Sequence, residues 1–191
     1  MTGLETWRDI SSALVSDCLN RFQVMDPALR PLVGTRLLGR AWTARTMAAE
    51  NSTVHRAIET APPGSVLVID AGGYPGRAVW GSITSAKSLT RGLAGVVLDG
   101  AARDFEAVRE LGFPVFARGL SAAGPNKGWD GDVGGTVCCG GVPVRPGDLV
   151  LADLDGIVVV PREVEDTVLT TATHKLAEDR QRLARALNHP A

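Results

Sequence analysis

The sequence predicts a mixed α/β fold with a parallel βαβ core, followed by a β meander and a last helix. Three observations carry this. Between positions 65 and 117, apolar runs of four or five residues alternate with helically spaced apolar residues. That order reads strand, helix, strand, helix, strand and implies right-handed parallel crossovers. The 22 glycines and 11 prolines are too many for a helical bundle and fall between patterned segments as turn markers. Beyond residue 120 the alternation gives way to short β-prone pieces separated by Arg145-Pro146-Gly147-Asp148 and Asp153-Leu154-Asp155-Gly156.

Taken in order, residues 4–24 place Leu4, Trp7, Ile10, Leu14 and Leu19 at roughly helical spacing, as one amphipathic helix or a pair, until Pro27 and Pro31 break the pattern. Residues 35–46 read as extended, and Gly39 in their middle marks a bulge or a close backbone approach. A short helix over 53–60 stops at Pro62-Pro63-Gly64. Residues 65–69 form a continuous apolar run that ends in Asp70 and Gly72-Gly73, the pattern of a buried parallel strand opening into a loop.

Val79, Ile83, Ala86 and Leu89 then predict a helix over 79–89 that stops at Gly92. A second buried strand over 95–98 follows, then a helix bearing Phe105, Val108 and Leu111, then a strand over 114–117. After a Gly-rich loop over 124–135, strands are expected at 136–139, 142–144, 149–152 and 157–160. The last helix, 162–187, carries Val164, Val168, Ala172, Leu176, Leu183 and Leu187 on one side. No linker or internal repeat divides the chain, so one domain over 1–191 is expected.

Twenty Lys and Arg against twenty-one Asp and Glu leave a formal charge of -1, which argues against nucleic acid as a partner. No basic segment leads into an apolar one at the start, and no apolar run approaches the ~20 residues a membrane span needs, so a cytoplasmic location without membrane partners is expected. Cys18, Cys138 and Cys139 are odd in number and form no C-x-x-C pair, which argues against a disulfide scaffold or a structural zinc site. Cys138-Cys139 reads as a buried strand pair. His55, His174 and His189 are dispersed and read as surface or packing residues.

In parallel α/β sheets, ligands bind outside the carboxyl ends of the strands. Two such ends are candidates. The loop after Asp70 carries Gly72 and Gly73, whose backbone N–H groups could approach an anion, although a turn that merely reverses the chain uses the same residues. At the second, Arg103 and Asp104 place a fixed cation beside a hard oxygen ligand, which suits a Mg²⁺-bound oxyanion. The alternative is that Asp104 caps the following helix and Arg103 is solvated. The Glu178-Asp179-Arg180 segment reads as a solvated helix face.

The phrases VSDCLNRF, RPLVGTRLLGRAWTAR, PPGSVLVIDAGG, RAVWG, GVVLDGAARD, LGFPVFARG and GGVPVRPGDLVLADLDGIVVVPRE span nearly the whole chain. In this order they resemble the family named for the regulator of RNase E activity A, RraA, which includes divalent-metal-dependent pyruvate aldolases of the 4-hydroxy-4-methyl-2-oxoglutarate type. The resemblance implies a three-layer β/β/α swivelling domain that self-associates as a trimer or hexamer, with active sites at subunit boundaries. It implies a Mg²⁺- or Mn²⁺-dependent lyase acting on a small 2-oxo acid through a pyruvate enolate, by retro-aldol cleavage or oxaloacetate-type decarboxylation. A regulatory binding protein of the RNase E inhibitor type and a member with altered chemistry are the alternatives.

The aldolase signature, an Asp followed after twenty residues by Arg-Asp, is matched by Arg103 and Asp104, while Ser82 stands in the first position. By resemblance Arg103 polarises the 2-oxo oxygen, Asp104 holds the metal, and backbone amides around Gly81 and Ser82 bind the substrate carboxylate. Glu178 or Asp179 of a neighbouring subunit's last helix would contact metal-bound water. The absent Asp orients the water that carries a proton to the enolate. A serine hydroxyl can hydrogen-bond that water but cannot act as a base near neutral pH.

Overall fold

The computed structural model describes residues 3–188. After a 3₁₀ turn at Leu4–Trp7 come α1 (Ser12–Cys18), β1 (Arg30–Val33), β2 (Leu37–Arg45), α2 (Ser52–Thr60), β3 (Ser65–Trp80), α3 (Ser82–Thr90), β4 (Gly95–Ala102), α4 (Phe105–Leu111) and β5 (Val115–Leu120). The remainder comprises β6 (Asp132–Val133), β7 (Val137–Cys139), β8 (Val142–Val144), β9 (Leu149–Ala152), β10 (Ile157–Val160), a 3₁₀ turn at Arg162–Val164 and α5 (Glu165–Asn188).

The main sheet runs β1-β5-β4-β3-β2-β9-β10, with β6 also paired to β2. Its centre, β2 to β5, is parallel, as the crossovers require. β1, β6, β9 and β10 add to it antiparallel. Every residue of β4 is buried, the mark of a strand covered on both faces. On one face, Leu67, Ile69, Val96 and Leu98 pack against Val54 and Ile58 of α2 and Val108 of α4. On the other, Val66, Val68 and Val97 meet Val137, Cys139, Val142 and Val144 of the β7-β8 hairpin. Helices, sheet and hairpin thus make three layers. A further core joins Leu149, Leu151, Val158 and Val160 to Trp7, α1 and the first turns of α5.

At Gly39 the close approach is realised, because a Cβ there would stand 2.9 Å from the Gly64 carbonyl oxygen. β1 was not foreseen in the Pro27–Pro31 break; it pairs with β5 at the sheet edge, where a proline is tolerated. The helix expected over 79–89 begins only at Ser82, since Val79 and Trp80 complete a strand of 16 residues. Its buried face is also not the apolar one. Thr84, Ser85 and Ser88 are buried, whereas Ile83 is 67% exposed. Hydroxyls can be buried here because each finds a partner at once: Thr84 Oγ1 donates to the Gly81 carbonyl, Ser88 Oγ donates to that of Thr84, and Ser85 Oγ accepts from Trp80 Nε1, all at 2.8 Å. Strand alternation separates the cysteines, leaving Cys139 buried and Cys138 exposed. In α5, Val168 and Ala172 are buried as expected, but Leu183 and Leu187 extend past the core and are exposed. His189 lies outside the described residues. Among those described, no helix is long and apolar enough to cross a membrane.

Candidate active site

β3 and β4 run side by side to their last residues, Trp80 opposite Ala102. The Arg103 N–H continues the ladder by donating to the Trp80 carbonyl at 3.0 Å. Gly81-Ser82 and Arg103-Asp104 therefore leave adjacent strands at the same level, so residues 22 apart in sequence become neighbours through backbone pairing. Trp80 anchors this corner from below, buried and stacked on Phe113 with ring centroids 5.9 Å apart.

Asp104 occupies the N-cap position of α4 yet makes no side-chain cap bond to that helix. Its backbone is left-handed, with φ +57°, a conformation Asp tolerates better than most residues. This turns the carboxylate toward α3, where Oδ2 accepts from the Ser82 hydroxyl at 2.9 Å and the Ser82 N–H at 3.2 Å. Arg103 Nε stands 3.7 Å from the other oxygen, Oδ1. The simple helix-cap role for Asp104 is thereby set aside. Both side chains are part-exposed, within reach of a ligand.

Two glycines close around the pair. A Cβ at Gly81 would lie 2.8 Å from Asp104 Oδ2, and one at Gly124 would lie 2.6 Å from Arg103 Nη1. The cleft they border has a volume of about 510 Å³, in the range of small-molecule sites. Its walls bring Gly81, Arg103 and Asp104 together with Asn51 and His55, Lys87 of α3, and Lys127 of the Gly-rich loop.

α2 is set in place by Glu50. This buried carboxylate accepts from the N–H groups of Ser52 at 2.7 Å and Thr53 at 3.4 Å and from the Thr46 hydroxyl at 2.9 Å. Burial alone would raise its pKa, but these hydrogen bonds, chiefly from Ser52, outweigh it and hold Glu50 ionised below its ordinary range. One turn of α2 later, His55 is pulled below its ordinary value by burial first and then by the positive charges of Lys87 and Lys127. It is neutral at neutral pH. Its Nδ1 and the Oδ1 of Asn51 are both buried without a hydrogen-bond partner.

Other expected residues are placed elsewhere. Gly73, at φ +67°, faces the ion pair of Arg118 and Asp99 and is not in the cleft walls. Glu178 lies on exposed α5, 3.7 Å from His174 Nδ1, and Asp179 beside it is 3.7 Å from Arg182 Nη1. Among the described residues, no three His, Cys, Asp or Glu are grouped to hold a metal. His55, expected at the surface or in packing, is half-buried and lines the cleft. Its spacing of four from Asn51, which puts both on one helix face, is the signal that could have revealed it. Lys127, in an irregular loop, gave none.

The RraA-like family model, described as Aldolase/RraA, matches residues 12–159. A protein of Halalkalibacterium halodurans named "Putative 4-hydroxy-4-methyl-2-oxoglutarate aldolase" is 38% identical over 177 residues, covering 92% of this chain and 84% of that one. The structure of Streptomyces coelicolor RraAS2, described as an unusual member of the RNase ES inhibitor RraA protein family, superposes with a TM-score of 0.83 at 30% identity, over 94% of each chain. The RNA-processing inhibitor RraA from Thermus thermophilis gives 0.73 at 30% identity, over 80% of this chain and 93% of that one. Fold and site define an α/β protein with a cleft at the ends of two parallel strands. The chain belongs to the Aldolase/RraA family.

Proposed function

We propose that this protein is a divalent-metal-dependent carbon–carbon lyase acting on a small 2-oxo acid through a pyruvate enolate. The reaction is retro-aldol cleavage of substrates like 4-hydroxy-4-methyl-2-oxoglutarate, decarboxylation of oxaloacetate, or both. The observation that carries this reading is the convergence of Arg103, Asp104 and the start of α3 in one cleft. A non-catalytic binding surface has no need for a guanidinium and a carboxylate held side by side between two closely packed glycines.

The donors present fit Mg²⁺ or Mn²⁺. Asp104 offers a carboxylate and Ser82 a hydroxyl, both hard oxygen ligands, and Mg²⁺ ordinarily takes only one or two carboxylates and completes its shell with substrate oxygens and water. When bound at Asp104, the ion would supply Lewis-acid polarisation of the 2-oxo oxygen. Arg103 would place a second positive charge at that oxygen, stabilising the enolate left when the C3–C4 bond breaks: its electron pair moves onto the pyruvate unit, and C4 leaves as CO2 from oxaloacetate or as a carbonyl compound from a 4-hydroxy acid, whose hydroxyl proton passes to water. The Gly81 N–H donates to Thr84 Oγ1 and the Ser82 N–H to Asp104 Oδ2, so the substrate's C1 carboxylate would meet the next N–H groups of α3, those of Ile83 and Thr84, at a favourable place for an anion. Ser82 orients water and does not itself remove a proton. Proton delivery to the enolate therefore rests on solvent, which predicts slow turnover with intact binding.

Self-association belongs to the same proposal. Glu178 and Asp179 do not line the cleft of their own chain, so a contact of either with metal-bound water requires a second copy in a trimer or hexamer, an arrangement that sedimentation velocity tests. The function is tested by pyruvate release from a panel of 4-hydroxy-2-oxo acids and oxaloacetate with Mg²⁺ or Mn²⁺. Activity that is abolished by chelation and restored by the metal is the expected result. Full activity after exhaustive chelation overturns the mechanism.

A further inference from the structure

We propose that Asp130-Gly131, in the loop that leads into β6, is a self-modification site: it converts to isoaspartate through a cyclic imide and thereby becomes a substrate for carboxyl methylation by an isoaspartyl repair enzyme. The site takes no part in the lyase chemistry.

The sequence contains three Asp-Gly pairs, Asp99-Gly100, Asp130-Gly131 and Asp155-Gly156. At such a pair the glycine nitrogen can attack the aspartate Cγ, because no Cβ on the glycine obstructs the approach. A bond forms between N and Cγ, and one carboxyl oxygen leaves as water, carrying the carboxyl proton and the amide proton. Water then reopens the ring, with no change of oxidation state. Cleavage at Cγ restores aspartate, whereas cleavage at the main-chain carbonyl carbon leaves the chain running through the side chain as isoaspartate. Ring closure requires the carboxyl group to swing onto the following peptide, so local restraint decides which pair reacts.

Two of the pairs are restrained. Asp99 is buried in β4, with Oδ1 paired to Arg118 Nε and Oδ2 accepting from the Gly140 N–H at 2.8 Å, and Gly100 sits in the ladder opposite Tyr74. Its carboxyl group cannot turn without breaking these contacts. Asp155 is exposed but belongs to the tight β9-β10 turn: its N–H donates to Asp153 Oδ1 at 3.1 Å, and the Gly156 carbonyl accepts from the Asp153 N–H at 3.0 Å. Asp153 is itself fastened by the Ser12 N–H at 2.7 Å, and Ile157, next in the chain, pairs with Ala152. Both sides of that turn are held.

Asp130 differs on every count. Its side chain is fully exposed, and its one ionic contact is a 3.5 Å approach to Arg56 Nη1. Among the described residues, neither its own N–H nor that of Gly131 has a hydrogen-bond acceptor. Gly131, by contrast, is fixed in place. Its carbonyl accepts from Arg56 Nη2, a Cβ on it would collide with the Arg45 carbonyl oxygen, and Asp132 beyond it pairs with Arg45. A stationary nitrogen therefore stands beside a carboxyl group free to rotate, in an irregular segment where such chemistry concentrates. Because Gly131 cannot give way, the extra main-chain carbon of isoaspartate is taken up on the other side, toward Lys127 in the cleft wall.

The test ages the full chain in water enriched in oxygen-18, where each passage through the imide adds one heavy oxygen, and reads the three pairs by mass spectrometry of peptides released in ordinary water. In the folded chain, uptake at Asp130 should be at least ~10-fold faster than at Asp99 and ~3-fold faster than at Asp155. In concentrated urea the three rates should converge to within about twofold, since only the shared dipeptide remains. Isoaspartyl methyltransferase should label the aged wild type at residue 130 and label aged Asp130→Glu far less, because glutamate would have to close a larger ring. Asp130 is exposed, so this variant keeps its fold, which thermal unfolding checks. If Asp155 or Asp99 reacts as fast as Asp130 in the folded chain, or if aged Asp130→Glu is methylated as strongly as the wild type, the site is overturned.

Discussion

The Ser82 hydroxyl lies 2.9 Å from Asp104 Oδ2, and the Ser82 N–H reaches the same oxygen at 3.2 Å. One carboxylate oxygen is thereby occupied by a serine that stands where the aldolase signature has an aspartate, and Oδ1 is left turned toward Arg103. Asp104 is oriented by its neighbour, but that neighbour brings no base to the site.

Ser82→Asp supplies the missing carboxylate. With Mg²⁺ saturating, we expect at least a ~10-fold rise in retro-aldol or decarboxylase rate, modest beside the 10²–10⁴ typical of a positioned acid–base group. Oxalate, which mimics the enolate, should bind both proteins comparably. A folded variant that binds oxalate and metal without gaining rate would show that the serine reflects different chemistry.

Arg103→Lys keeps the charge but loses the planar fork, and we expect kcat/KM to fall by roughly 10²–10³-fold, the usual loss on removing an electrostatic stabiliser. Asp104→Asn should instead lose metal binding, read by Mn²⁺ titration. Wild-type rates in both folded variants would refute the assignment.

Gly124→Ala pushes a methyl group into Arg103 Nη1, the movable tip of a long side chain, so the fold yields easily while the guanidinium does not stay where it is. A displacement of about 1 Å can cost on the order of 10²-fold in rate. We expect a loss of that order in kcat/KM with little change in Tm. Gly119→Ala, where nothing lies within 4 Å of the added Cβ, is the matched control.

His55 makes stability depend on pH in a defined direction. The unfolded chain protonates this residue near its ordinary value of 6.5, and the folded chain only at lower pH. Below 6.5 the unfolded state therefore binds more protons, and stability falls as the pH drops toward the folded value, while above that window the effect vanishes. His55→Gln should lose less stability than the wild type between about pH 7.5 and about pH 5.5, read as the shift in urea midpoint. An equal loss in the two proteins would remove His55 as the cause.

The strand cores were legible because β3, β4 and β5 are buried on both faces and so read as unbroken apolar runs. The start of α3 was not, since Val79 fits a helical period and a strand equally well, and only the pairing of Trp80 with Ala102 decides between them. The buried side of α3 was misread for a related reason. Hydroxyls that bond within their own helix turn behave as packing groups, which no hydropathy pattern registers. Within the site, Arg103 and Asp104 stood out as adjacent opposite charges at a strand end. His55 and the two lysines come from three separate segments that only tertiary packing assembles.

The pairing of β3 with β4 up to Trp80 and Ala102 has a consequence for how such a protein can change. Because the spacing between positions 82 and 104 is set by a main-chain ladder rooted in the core, either side chain can be exchanged without re-registering the sheet. Natural variation can then sample new reactions at this corner one residue at a time, each step leaving intact the paired strands that set the two positions side by side. A serine in place of an acid is the kind of step such a scaffold permits, and the same property makes the corner a practical starting point for laboratory evolution.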